Sequence, residues 1–177
     1  MIFRCTTKVQ KKLHLTPDRL KDVGPNPAMT EWYCNLVTIE HRQFYLFAHA
    51  ISLFGCWVPV TSICKSSPFR AAFGEHLVLA MREWGFSRDD AGRITDDGPD
   101  VFAKPRDRGI VGSIVDYAKM CRMSAEYEGG LNLLGLAAMN KIVSEAPMSV
   151  LGFGIPHEVL AQLLHPGNAA VIRTDVE

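Results

Sequence analysis

Leu36-Val37-Thr38-Ile39-Glu40, His41-Arg42-Gln43 and Phe44-Tyr45-Leu46-Phe47-Ala48 form the stretch whose reading decides the fold. Two runs rich in β-branched and aromatic residues flank three polar ones, the pattern of two strands joined by a three-residue turn. Leu53 to Val58 adds a third strand, closed by Pro59. In the second and third strands both alternating sets of side chains are apolar. A sheet with one wet face reads apolar on one side only, so this sheet is expected to be covered on more than one side.

Working upstream, Ile2 to Cys5 reads as a further short strand. Thr6 or Thr7 then caps a short helix that turns Val9 and Leu13 inward and Lys8, Lys11 and Lys12 outward. Thr16 to Thr30, with Pro17, Gly24, Pro25 and Pro27, reads as a loop. Downstream the period becomes helical. Ser66-Ser67-Pro68 offers a cap and a first-turn proline, and Phe69, Ala72, Phe73, His76, Leu77, Ala80, Met81 and Trp84 recur at helical spacing up to Gly85. This predicts a helix over about 67–84, and similar patterns predict helices over about 111–128, 132–143 and 156–164. Residues 87–108, with Gly92, Gly98, Pro99, Pro105 and charges of both signs, read as a charged surface loop holding a short strand near Arg93-Ile94-Thr95.

Strands come early and helices late, which is not the βαβ alternation of a parallel sheet. The expectation is therefore an α+β fold: a small, mostly antiparallel sheet with strands within about 2–58, packed by about four helices. The chain has 177 residues, which fits a single domain over 1–177. Its 19 basic and 19 acidic residues cancel, leaving no overall field toward nucleic acid or a membrane surface. A local basic patch keeps nucleic acid possible as a partner without favouring it. Phe44 to Val60 is the most apolar segment, but it is shorter than the ~20 residues of a spanning helix and is broken by His49, Ser52, Gly55 and Pro59, so no membrane is expected. The five cysteines, Cys5, Cys34, Cys56, Cys64 and Cys121, are odd in number and widely spaced, and the N-terminus lacks the apolar run of a signal peptide. Both features fit reduced thiols in the cytoplasm.

Chemistry is sparsely marked. Arg108-Gly109-Ile110-Val111-Gly112-Ser113-Ile114-Val115-Asp116 sits where polar sequence turns into a helical apolar pattern. A helix start exposes unpaired N–H groups and the positive end of the dipole, which favours an anion. Arg106 and Arg108 offer fork-shaped donors to a carboxylate or phosphate, Gly109 and Gly112 let the backbone approach a ligand, and Ser113 and Asp116 share a helix face. An ordinary capped helix uses the same residues, and the glycine spacing matches neither a phosphate-binding loop nor a dinucleotide fingerprint. Trp32-Tyr33 either stacks on a ring or base or fills the core. No histidine pair has the i, i+4 spacing of a zinc helix, and His41 and His49 would lie about 25 Å apart along one strand at ~3.3 Å per residue. Neither a metal nor a cofactor is expected, and no G-x-S-x-G element marks a nucleophile.

Several stretches together resemble a family of small bacterial proteins known only as a domain of unknown function. They are the opening Met1-Ile2-Phe3-Arg4-Cys5-Thr6, the run Trp32-Tyr33-Cys34-Asn35-Leu36-Val37-Thr38-Ile39 with its following strand, the helix start Arg108 to Asp116, and Glu145-Ala146-Pro147-Met148 before the last helix. The likeness runs from Met1 to about Leu164, and departs from the family pattern in the charged loop and at Gly109. It implies an intracellular bacterial protein with no established activity or cofactor. Two functions stay open. One is a non-enzymatic binding or protein-interaction module for an unknown protein or small anionic ligand. The other is an enzyme on a phosphate-bearing or nucleic-acid substrate, with Arg108 and Ser113 holding the anion and Asp116 as acid/base or metal ligand.

Overall fold

The computed structural model of the chain describes residues 1–24, 28–63, 69–95 and 98–167. Cys64 and the helix start at Ser66-Ser67-Pro68 lie outside the described residues. In chain order the elements are β1 (Ile2–Cys5), α1 (Thr7–Lys12), β2 (Leu20–Lys21), β3 (Glu31–Ile39), β4 (Arg42–His49), β5 (Gly55–Pro59), α2 (Phe69–Arg82), α3 (Arg88–Arg93), β6 (Val101–Ala103), α4 (Arg108–Tyr127), α5 (Leu131–Glu145) and α6 (Pro156–Leu164).

The class is α+β, as expected, but the sheet is mixed rather than mostly antiparallel. Its strand order is β2-β6-β1-β3-β4-β5. The meander β3-β4-β5 is antiparallel, while β1 runs parallel to β3 and β6, and β6 parallel to β2. Parallel neighbours need not be sequence neighbours, so local pattern carries no sign of them. The central hairpin turns on two residues rather than three. Ile39 pairs with Arg42, and Glu40 and His41 both take positive φ, 45° and 66°. That geometry follows the right-handed twist of the flanking strands, which a longer polar turn would not need to match.

The segment expected as a surface loop over 87–108 is largely structured. Ser87 and Asp90 form a reciprocal capping box at the start of α3, each side chain bonding the other's backbone N–H. The strand expected near Arg93-Ile94-Thr95 is absent: Arg93 ends the helix, and Ile94 caps it with its side chain fully buried. The strand of this region is β6, further on, inserted between β1 and β2.

Alternation along the strands divides the core in two. Trp32, Cys34, Tyr45, Phe47, Cys56 and Val58 face Phe69, Phe73 and Leu77 of α2, with the Phe47 and Phe73 rings 4.4 Å apart. Tyr33, Val37, Ile39, Phe44, Leu46 and Trp57 face Ile110, Ile114, Tyr117 and Cys121 of α4 and Met139 and Val143 of α5. The sheet is thus covered on both sides, as its two apolar faces require. Each large side chain so buried contributes roughly 1.5–3 kcal/mol.

On the second face α4 packs on β3 and β4, and α5 on β5. The short strands β1, β6 and β2 continue beyond them. Their register sets Lys21, Ala103, Arg4 and Tyr33 side by side in one row across four strands, all on the α4 side.

A candidate anion-binding cleft at the parallel edge of the sheet

Arg4 is the centre of this region. It lies on a strand otherwise apolar and is buried, 3 % exposed. Its Nε donates to Glu31 Oε1 at 2.5 Å, Nη1 to the carbonyl of Lys104, and Nη2 to the carbonyls of Val23 and Gly24. A guanidinium has five N–H groups. The contacts therefore tie together the segments that follow β2 and β6 and, among the described residues, leave one Nη1 proton without an acceptor. The guanidinium also lies over the Tyr33 ring, 6.0 Å from its centroid.

Two cavities meet at Arg4. The outer one, about 440 Å³, is lined by Arg4, Lys21, Asp22, Lys104 and Arg106, with Pro17, Leu20, Val23 and Pro105 as its walls. It opens past the carboxyl ends of β2 and β6, where open α/β sheets hold their ligands. Lys21, Lys104 and Arg106 form no ion pair among the described residues, so cations outnumber the single Asp22. The inner chamber, about 230 Å³, is lined by Arg4, Glu31, Tyr33, Ala50, Arg106, Asp107 and Ile110. Arg4 and Arg106 belong to both.

The residues expected to make a site separate here. Arg106 lines both cavities and Tyr33 the inner one. Tyr33 is 3 % exposed, and its hydroxyl accepts the backbone N–H of Asp107 at 3.1 Å. Trp32, its neighbour, is on the opposite face, buried against Phe73 and His49, with Nε1 donating to the Ile94 carbonyl. The two aromatic residues therefore do not form one surface. Arg108, Gly112 and Asp116 are exposed on α4 and line neither cavity. The start of α4 already has its anion: the Asp107 side chain accepts the N–H groups of Gly109 and Ile110. Ser113 is buried and donates to the Gly109 carbonyl, a bond within the helix. Gly109 packs on Val150 of the neighbouring turn, and Gly112 has open space around it.

Arg4, Glu31, Lys21 and Lys104 were not among the expected site residues. One signal points to two of them. Arg4 within Ile2–Cys5 and Glu31 opening Glu31–Ile39 are opposite charges on two apolar strands, which can be buried only as a pair.

Other polar groups are held in the core. His49 is fully buried, with Nδ1 against Ser52 Oγ at 2.9 Å and Nε2 against the Met29 carbonyl at 3.0 Å; burial lowers its pKa to about 4. Cys5, Cys34, Cys56 and Cys121 are free and buried. Burial pushes the thiols of Cys5 and Cys121 up to about 12 and raises those of Cys34 and Cys56 as well, so none is a ready nucleophile. Among the described residues no group of three or more His, Cys, Asp or Glu side chains is placed to hold a metal ion. No described helix is long and apolar enough to cross a membrane.

Set against known proteins, residues 2–159 match the sequence model of a family described as Domain of unknown function (DUF6933), in keeping with the resemblance to an uncharacterised family. No curated protein matches the chain. No solved structure matches it either.

Proposed function

The chain belongs to the DUF6933 family, a domain of unknown function, and we propose that it is a binding module whose ligand is a small anion held in the outer cleft. The supporting observation is the set of Lys21, Lys104 and Arg106 around a cavity of about 440 Å³, without ion-pair partners among the described residues and backed by the buried Arg4. Cations converging on a concave site favour a carboxylate or phosphate group, and a guanidinium adds a planar pair of donors. The cavity suits a small molecule. A polymeric phosphate backbone needs a longer basic track, and the chain's charges sum to zero.

The alternative, an enzyme acting through the start of α4, has less support. Asp107 takes the place an anion would occupy there, and Ser113 is committed to the Gly109 carbonyl. Binding at the cleft is tested by thermal-shift and calorimetric titration with inorganic phosphate, pyrophosphate and citrate, on the wild type and on Lys21→Ala/Lys104→Ala/Arg106→Ala. The expected result is a salt-sensitive rise in melting temperature that the triple variant loses while its circular dichroism is unchanged. Equal shifts in both proteins, or none in either, would exclude the cleft.

A further inference from the structure

The inner chamber contrasts with the cleft outside it. Its distinctive groups are acceptors rather than cations. Glu31 is 2 % exposed; Oε1 receives Arg4, while Oε2, also buried, has no hydrogen-bond partner among the described residues. A buried carboxylate oxygen without a donor is costly, so such a group in a chamber wall marks where a donor is wanted. Arg4 already balances the charge of Glu31. Asp107 lines the same chamber and adds a second carboxylate. Arg106, shared by both cavities, stands at their junction. Charge therefore runs from net positive in the outer cleft to balanced in the inner chamber, where the group left without a partner is an acceptor.

We infer that the ligand is a zwitterion: its carboxylate or phosphate sits among Lys21, Lys104 and Arg106, and its ammonium group enters the inner chamber to donate to Glu31 Oε2. The inference rests on the anion-binding reading of the cleft and adds the second pole of the ligand. An ammonium suits the place because it carries up to three donors and no acceptor, which Glu31 and Asp107 match. The Tyr33 hydroxyl, having accepted the Asp107 N–H, keeps its own proton for an oxygen of the ligand at the boundary.

The test compares matched probes by calorimetry on the whole chain: 2-aminoethyl phosphate against ethyl phosphate, and β-alanine against propanoate. The amine-bearing member of each pair is expected to bind at least about tenfold more tightly, as a charge-assisted hydrogen bond to a buried carboxylate predicts. Glu31→Gln should erase that preference, so that the two members of each pair bind alike. Equal binding within each pair on the wild type overturns the zwitterion and leaves the anion site standing, and this comparison needs no variant to fold. A preference that survives Glu31→Gln overturns the role of Glu31. Failure of all four probes overturns the anion site itself.

Discussion

The hydroxyl of Tyr33 on β3 accepts the backbone N–H of Asp107, 3.1 Å away and 74 residues further along the chain. That one bond fixes the residue that caps α4 against the residue beside Arg4 in the sheet. It sets the height of the Arg106–Asp107 segment above the strands, and so the depth of the inner chamber.

Tyr33→Phe keeps the ring and removes the acceptor, leaving a partly buried N–H without its partner. The expected loss is about 1 kcal/mol of stability. Urea denaturation should show a lower midpoint with an unchanged slope. A midpoint equal to the wild type would mean that the bond does not hold the segment.

Arg4 and Glu31 form a buried pair in which each side chain needs the other. Arg4→Met should cost about 3–5 kcal/mol, because Glu31 then keeps an uncompensated charge in the core. Arg4→Met/Glu31→Leu should recover part of that loss. Recovery is partial because the carbonyls of Gly24 and Lys104 lose the donor Arg4 gave them, while that of Val23 keeps Arg106. A double variant less stable than the single one would refute the pairing.

His49 gives the stability a defined response to pH. Its folded pKa is lowered from 6.5 to about 4 by burial, so the unfolded chain binds the proton more readily than the folded one. Stability from this group is complete above pH 6.5, falls as the pH drops toward about 4, and levels off below that. The full change is on the order of 3 kcal/mol. Chemical denaturation between pH 4 and 7 should show this slope, and a His49→Gln variant should lack the His49 part of it. An identical slope in that variant would assign the dependence to other groups.

Local pattern carried the hairpin, the third strand and the four longer helices, because each buries a regular stripe of its own residues. Phe69, Phe73 and Leu77 on α2 are such a stripe. Local pattern could not carry β6. Val101-Phe102-Ala103 is three residues long, lies among prolines and charges, and is a strand only because β1 and β2 flank it. The same limit explains the site. Arg108 to Asp116 was legible as a helix start, and the chemistry inferred from it is consumed by its own cap at Asp107. Arg4, Lys21 and Lys104 become neighbours through parallel pairings between β1, β6 and β2, which no local spacing encodes.

The cleft is walled on one side by β2, a strand of two residues at the sheet's edge, paired through Leu20 with Phe102 and Lys21 with Ala103. Local opening free energies scale with what an element buries and bonds, and β2 does little of either. Amide hydrogens on this wall should exchange well before those of β3 and β4. A ligand bridging Lys21 and Lys104 would then act as a clasp, with occupancy read out as slowed exchange at the edge while the centre of the sheet stays as it was.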